Sequence, residues 1–568
     1  MTDVATAAAP ALRPSRWRLA GRWSRAHSTA AWIAALTVLP LLVLLAQFLV
    51  PQPEIWSHLR EWVLPRVLGN TLVLLLGVLA GVLVLGVPLA WLTAVCEFPG
   101  RRLFRWALLL PLAMPAYVLA FVHVGLWDYT GPIQTALRAL FGADLQLPSV
   151  RSRLGVIIVM SCAFYPYVYL LARSAFLTQG RRALEVGASL GLSPWQGFWR
   201  VALPLARPAL VAGATLALME TLADFGTVSV FNYDTFTTAI YQSWFALYSL
   251  PAAAQLASLL TLTVLALMLV ERQLRAERRY GNSSRASSPL PRMPLRGARA
   301  WAATSFCLLV LLLAFLVPLA QLLYWACNRF ADDVDLRLLD FTGRSLSLSL
   351  LAALLVTAVA LLLAYLQRLK RDRLMHMMAR VATLGYAIPG TVLAVGFFLP
   401  MAWLDNQLMA LAASFGVELP PLLRGGLLAM LLAYLVRFLA VAHEPLDSGL
   451  ARISPSQDDA ARSLGYTGWR LLRAVHLPQL RPALVTALLM VFVDVMKEMP
   501  ITLMTRPFGW DTLAVRVFEM TSEGQWDRAA LPAVAIVLAG LLPVWLLIRQ
   551  SEKNDAGEQS MRQNTRPE

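Results

Sequence analysis

Charged side chains inside two apolar segments are the first candidates for chemistry. Glu220 and Asp224 lie in one segment, and Asp494 and Glu498 lie in another, with Lys497 beside them. A spacing of four residues places each acidic pair on one face of a helix. Charges in such segments are costly unless they face protein or water. The pattern predicts a polar path; the alternative is a structural network in which Lys497 neutralises the acids and joins the two segments.

The elements that must position these side chains are membrane helices. The chain has 568 residues, of which 58% are hydrophobic and 14% charged, and its mean hydropathy is +0.61. A soluble fold of this size could not bury so much apolar surface, so the composition indicates a polytopic membrane protein. The net charge of +16 fits basic cytoplasmic loops better than a nucleic-acid partner.

Windows of about 20 apolar residues predict an all-α fold with about twelve transmembrane helices in two sets of six. The windows lie near 31–50, 70–95, 105–127, 154–176, 205–226 and 252–270, then near 302–325, 345–366, 378–402, 424–443, 481–504 and 530–548. The predicted organisation is a tail, a first repeat, a linker, a second repeat and a second tail, with bounds of 1–30, 31–270, 271–300, 301–550 and 551–568.

The distribution of Lys and Arg predicts the orientation of the helices. The loops after the second, fourth, sixth, eighth and tenth predicted helices are rich in arginine, whereas the segment 326–344 carries four aspartates. Because basic loops stay in the cytoplasm, both termini are expected there. Each set holds an even number of helices, so the two repeats are expected to be parallel rather than inverted.

A polar loop occurs once in each half, just before the fifth apolar run. The two copies share an acid, a glycine and a proline at the same spacing: Glu185, Gly191 and Pro204, then Asp459, Gly465 and Pro478. The acid suits the first turn of a short helix, the glycine ends that helix, and the proline suits the start of the next helix. We predict an amphipathic elbow on the cytoplasmic face; an elbow that only rests on lipid is the alternative.

This loop resembles the EAA loop of the membrane subunits of bacterial binding-protein-dependent ABC importers, whose pattern is Glu-Ala-Ala, three residues, Gly, nine residues and Ile-x-Leu-Pro. The matching positions are Glu185, Gly187, Gly191, Pro204, Asp459, Ala461, Gly465 and Pro478. In that family the loop docks in a cleft of the ATPase subunit. The resemblance implies a type I importer fold in which one chain supplies both membrane domains. It also implies two partners, a separate ATP-binding subunit, expected as a homodimer, and a periplasmic substrate-binding protein.

Within that family, the fused architecture resembles permeases of the ferric-iron type. The stretches 111–120, 386–396 and 494–500 carry this closer similarity. It implies ferric iron as the substrate, and carboxylate oxygens suit such a hard cation. Fused permeases for thiamine and phosphonates are similar, so these substrates stay open as alternatives. The resemblance further implies an inner-membrane subunit in contact with lipid, without cofactor or enzymatic activity, and the chain has no Gly-Lys-Ser/Thr phosphate loop.

Pro115 and the pair Pro389 and Gly390 lie inside apolar spans, where proline interrupts the helical hydrogen bonds. They are candidate gate residues, and a packing kink is the alternative. The four cysteines form no Cys-x-x-Cys pair and the histidines have no ligand spacing, so no disulfide framework or metal site is expected.

Two other classes of protein compete with the importer interpretation. A proton-coupled secondary transporter also has twelve helices and membrane acids, but it would not need the repeated elbows. A membrane enzyme is the third class, and the sequence contains neither a nucleophile motif nor a metal motif for it.

Overall fold

The computed structural model describes residues 24–50, 53–142, 148–177, 185, 187–189, 191–276 and 292–545. Most of the predicted N-terminal tail, the middle of the predicted linker and the whole predicted C-terminal tail lie outside the described residues. Two parallel strands of two residues each, Cys96–Glu97 and Met293–Pro294, pair with one another. All other regular structure in the described residues is helical.

The helices repeat a pattern of long spans and short connecting segments. In the first half, α-helices span Arg25–Ala46, Pro53–His58, Leu64–Val95, Arg101–Ala107, Ala116–Trp127, Pro132–Phe141, Arg153–Ala175, Pro194–Gly197, Leu203–Ala223, Gly226–Val230, Phe236–Phe245 and Leu250–Ala276. In the second half, they span Ala298–Leu311, Val317–Asp333, Leu336–Leu369, Arg373–Thr383, Gly390–Ser414, Leu427–Arg452, Pro455–Ser463, Gly468–Leu471, Leu477–Lys497, Pro500–Thr505, Leu513–Ser522 and Ala530–Trp545. Short 3-10 turns span Gln47–Leu49, Leu110–Ala113 and Leu384–Ala387.

The number of membrane spans is close to the prediction. Among the described residues, 10 helices are long and apolar enough to cross a membrane. The segments Arg101–Ala113 and Ala116–Phe141 are bent by 93° at the break between them, and they give an eleventh span if counted together. The last predicted span corresponds to the shorter apolar helix Ala530–Trp545. The all-α polytopic class is therefore confirmed.

Four five-residue π-turns each end two residues before a proline. They span Leu59–Val63, Phe198–Ala202, Leu312–Leu316 and Leu472–His476. Proline has no N–H and its ring clashes with the carbonyl one turn earlier, and a wider turn relieves that clash. Pro204 and Pro478 start their membrane α-helices, as predicted. The π-turns, however, join those helices to the elbows without a break.

The two halves repeat one another in detail. The helices Leu203–Ala223 and Leu477–Lys497 each have 21 residues and lie 274 positions apart. Pro115 and Pro389, separated by the same interval, both have φ −56° and ψ 144° at the start of a helix. Equal order and equal local geometry confirm the parallel repeat.

The first helix of each half packs against the other half. On Arg25–Ala46, the Thr37 hydroxyl donates to the Ala382 carbonyl over 3.0 Å. On Ala298–Leu311, the first helix of the second half, the Thr304 hydroxyl donates to the Pro99 carbonyl over 2.9 Å. Each half therefore depends on a helix from the other for its packing, and the two halves cannot separate as independent bundles.

The close packing within a half predicts the effect of one added methyl group. A Cβ at Gly213 would lie 2.7 Å from the Cα of Val168, and this backbone atom cannot rotate away. We expect Gly213→Ala to destabilise the protein by about 1–3 kcal/mol and to lower the thermal unfolding temperature of the purified chain. Gly343→Ala is the matched control, because its Cβ would meet nothing within 4 Å; an equal loss in both variants would contradict the packing argument.

Candidate functional site

A cavity of about 370 Å³ lies where the two halves meet, and we call it the central cavity. Its walls are formed by helices, and by the short segments where helices are interrupted, from both halves. Its polar lining residues are Tyr117, Tyr167, Glu220, Asp224, Tyr386, Arg437, Asp494, Lys497 and Glu498. All five charged residues that the sequence singled out are therefore brought together around one space.

Two of the four acids cap short helices. Asp224 accepts from the backbone N–H groups of Thr227 (2.9 Å) and Val228 (3.2 Å), at the start of Gly226–Val230. Glu498 accepts from the N–H of Ile501 over 3.1 Å, at the start of Pro500–Thr505. A carboxylate at a helix N-terminus satisfies otherwise unpaired donors. These two acids therefore shape the cavity wall by holding the broken helices in place.

The other two acids are less engaged by the protein. Glu220 accepts a hydrogen bond from the Tyr386 hydroxyl over 3.1 Å. Asp494 makes no hydrogen bond or ion pair with any described residue, and it lines the cavity partly exposed. The two positions are related by the repeat. They are the two cavity acids that do not cap a helix, and we refer to them as the available acids.

The cations of the cavity are held by the backbone and by one acid. The Lys497 ammonium donates to the Leu112 carbonyl of the other half over 3.1 Å. Arg437 donates to the Ile388 carbonyl over 2.7 Å, and its Nε lies 3.3 Å from Glu498. Lys497 forms no ion pair with an acid in the described part of the chain. It links the halves through this carbonyl, while its charge also acts on Asp494 and Glu220. The polar path and the structural network both stay predictions.

Arg437 is a site residue that the sequence argument missed. Apart from Arg424 at the first position, it is the only Lys, Arg, Asp or Glu in the apolar run at 424–443, and that isolation was the available signal. The repeat did not reveal it, because the position 274 residues earlier is Ala163. A search for charged residues that match between the two halves does not find a charge that has no counterpart.

The candidate gate prolines lie at helix starts rather than inside continuous helices. Pro115 follows the 3-10 turn Leu110–Ala113 and lines the cavity, and Pro389 follows the turn Leu384–Ala387. Gly390 lies against Glu498, since a Cβ there would be 2.6 Å from the carboxylate oxygen. The breaks thus bring backbone close to the cavity acids. The gating role stays a prediction.

The elbows have the predicted glycines but differ in detail. Gly191 and Gly465 have φ of +75° and +83°, the left-handed conformation that ends a helix. In the second elbow, Asp458 and not Asp459 lies in the first turn of Pro455–Ser463, so that placement of the acid was wrong by one residue. Asp459 is exposed beside Arg462, and Ala461 is buried. In the first elbow, Glu185 and Gly187 are helical.

Both halves of the chain match the model of one protein family, the binding-protein-dependent transport system inner membrane component, over residues 86–279 and 356–550. The chain belongs to this family. It is thus a multi-pass membrane subunit of a transport system rather than an enzyme, and the family name implies a binding protein as a partner.

Similar proteins point to several substrates. The Fe(3+)-transport system permease protein FbpB 2 of Haemophilus influenzae is 28% identical over 493 residues, which cover 86% of this chain and 90% of that protein. The 2-aminoethylphosphonate transport system permease protein PhnV of Salmonella typhimurium is 36% identical over 152 residues, 26% of this chain and 57% of that protein. The sulfate transport system permease protein CysW of Escherichia coli is 34% identical over 148 residues, 26% and 49% of the two chains.

The second elbow of this permease is anchored by a buried polar triad. Asp458 accepts from Arg368 and from His476, each over 2.8 Å. Burial opposes ionisation of Asp458, but the hydrogen bonds from Arg368 and His476 outweigh it, so its pKa lies below the ordinary value. The first half has Ala94, Leu184 and Ala202 at the corresponding positions. The residues of the triad are therefore not repeated in the first half.

Removing the central carboxylate of this triad tests its contribution. We expect Asp458→Asn to destabilise the permease by about 3 kcal/mol, because Arg368 and His476 lose the charge that offsets their burial. A carboxyl group with a lowered pKa contributes stability that is lost as pH falls below about 4. Thermal unfolding from pH 7 to pH 3 measures both effects, and the variant should lose the part of the acid dependence that Asp458 supplies.

The neighbouring acid provides the matched control. Asp459→Asn removes an exposed ion pair, so its cost should stay below about 1 kcal/mol. Equal destabilisation by the two substitutions would refute the anchoring role of Asp458.

Proposed function

We propose that this chain is the permease of an ATP-driven importer that passes ferric iron from a periplasmic binding protein to the cytoplasm. The observation that carries the proposal is the central cavity, where four carboxylates face two cations. Hard oxygen ligands and an excess of negative charge suit a small, highly charged cation. The similarity along 86% of the chain to a protein named as an Fe(3+) permease supports the same substrate.

Anions are a second class of substrate, because shorter similar stretches occur in proteins named for sulfate and 2-aminoethylphosphonate transport. An anion would need positive groups free to bind it. Arg437 instead pairs with Glu498, and Lys497 is bound to a backbone carbonyl. The excess of carboxylates would also repel an anion. Thiamine, which is a cation, stays an alternative that uptake measurements separate from iron.

We propose that ATP hydrolysis reaches the cavity through the two elbows. Each elbow continues through a π-turn into a helix that carries cavity acids, Trp195–Ala223 in the first half and Gly468–Lys497 in the second. Trp195, Trp199 and Trp469 are exposed there, and buried aromatic anchors commonly dominate protein interfaces. The proposed partner is a separate ATP-binding subunit, a homodimer whose two clefts each receive one elbow.

This coupling also sets the orientation that we propose for the permease in the bacterial inner membrane, because the elbows must face the ATP-binding subunit. Both elbows and both termini face the cytoplasm, as the basic loops predict. Exposed apolar side chains on the long helices, such as Trp32, Leu72 and Val84, are available to contact lipid. The opposite face is then the one that receives the binding protein.

Reversing the charge of both elbow acids tests the coupling. We expect Glu185→Arg combined with Asp459→Arg to leave the helices inserted and to reduce uptake of labelled ferric iron by at least about tenfold, a loss of about 1.4 kcal/mol or more of interface energy. The ATP-binding subunit should no longer copurify. Glu418→Arg combined with Glu523→Arg, two exposed acids outside the elbows, is the control that should retain copurification. Undiminished uptake in the elbow variant would remove the coupling role.

Neutralising the two available cavity acids tests the path. We expect Glu220→Gln combined with Asp494→Asn to abolish iron uptake while the amount of folded permease and its association with the ATP-binding subunit stay unchanged, because neither side chain caps a helix. Uptake of labelled iron, thiamine, sulfate and 2-aminoethylphosphonate is measured in parallel in cells lacking the chain and in the same cells with it restored. Loss of folded protein would support a structural role, and restored uptake of another substrate would overturn the iron assignment.

A further inference from the structure

The central cavity contains three tyrosines that the charge argument leaves unexplained. Tyr117, Tyr167 and Tyr386 all line it. Tyr167 lies in the electrostatic field of Glu220 and Asp494, and Tyr386 donates to Glu220. Three tyrosine side chains and the two acids Glu220 and Asp494 therefore line one space within the membrane helices.

Among the described residues, the hydroxyls of two of these tyrosines have no hydrogen-bond partner. Tyr117 is only 8% exposed, and its hydroxyl is buried without a hydrogen bond to any described residue. Tyr167, which is partly exposed, also makes no hydrogen bond within the described part of the chain. A buried unpaired polar group costs about 1–3 kcal/mol. Of these two tyrosines, Tyr167 is the partly exposed one that a solute in the cavity can reach.

Carboxylates and imidazoles alone do not form a metal site here. In the described ranges, no group of three or more His, Cys, Asp and Glu side chains is arranged to hold a metal ion. A ferric ion bound by Glu220 and Asp494 would therefore need oxygen ligands from other residue types. Phenolate is a hard anionic oxygen donor, the kind that a ferric ion prefers, and the tyrosines are the remaining source of such oxygens.

We propose that the central cavity is a transit site for ferric iron in which Tyr167 and Tyr386 bind the ion as phenolates together with Glu220 and Asp494. This inference rests on the proposed function. As each O–Fe bond forms, the phenol releases its proton to water, and the proton returns when the bond breaks. Two phenolates and two carboxylates carry four negative charges against three on the ion. Lys497, on the same helix as Asp494, offsets the excess.

The size of the cavity fits an ion that keeps part of its water shell. A volume of about 370 Å³ corresponds to roughly a dozen waters at ~30 Å³ each. Ligands spread around such a space hold an ion less tightly than a closed cage would, and passage requires binding that is weak enough for release.

The two proposed tyrosine ligands are not related by the repeat, because Val441 corresponds to Tyr167 and Leu112 corresponds to Tyr386. Each half therefore contributes one of the two phenols that bind the ion.

The test is visible absorption of the purified full-length permease titrated with ferric nitrilotriacetate. Ferric phenolates have a charge-transfer band in the visible region that ferric carboxylates lack. We expect the band in the native protein, its loss by at least about tenfold in Tyr167→Phe combined with Tyr386→Phe, and no band with ferrous ion. Tyr248→Phe combined with Tyr324→Phe, two exposed tyrosines, is the control that should keep the band. Iron uptake by cells carrying each variant is measured alongside.

The outcomes separate this inference from the proposed function. No band in a native permease that restores iron uptake overturns the tyrosine site and leaves the iron assignment intact. A band that persists in the Tyr167 and Tyr386 variant, or that disappears in the exposed-tyrosine control, also overturns the site. A native permease that gives no band and restores uptake only of another substrate overturns both.

Discussion

The cost of placing charge in hydrocarbon constrains this protein more than any other interaction. A charged side chain at the bilayer centre costs about 2.5–3.5 kcal/mol on insertion scales. Here Arg437 pairs with Glu498, Lys497 binds a carbonyl, and Asp224 caps a helix. All of these compensations occur where the two halves meet. The polar cavity is therefore part of the interface between the halves.

The backbone of the permease is repeated, but its charges are not. Paired prolines, glycines and acids, and the two π-turns that follow the elbows, keep the 274-residue interval. The two cavity cations come only from the second half, since Arg437 and Lys497 correspond to Ala163 and Ala223. The Asp458 triad is also confined to the second half. The two halves thus share one backbone arrangement. Their charged side chains differ, both in the cavity and in the elbows.

Rigid helices connect the elbows to the cavity. Trp195 and Glu220 belong to one continuous helix, and at about 1.5 Å per residue they are roughly 38 Å apart. Gly468–Lys497 repeats this arrangement in the second half. The first helix of each half is packed into the other half and ties the two halves together. In the coupling that we propose, movement of an elbow would reach the cavity along a single structural element.

The sequence by itself determined the class of the protein, its repeat, its elbows and its intramembrane acids. Apolar runs, turn residues and motif spacing are local properties, so they can be read from neighbouring residues. Only the tertiary structure decided which groups these acids meet, because Glu220 meets Tyr386 and Asp458 meets Arg368 across 166 and 90 positions. It also placed Pro389 at the start of a helix, after the 3-10 turn Leu384–Ala387. Contacts between distant segments depend on packing, and packing carries no local signal.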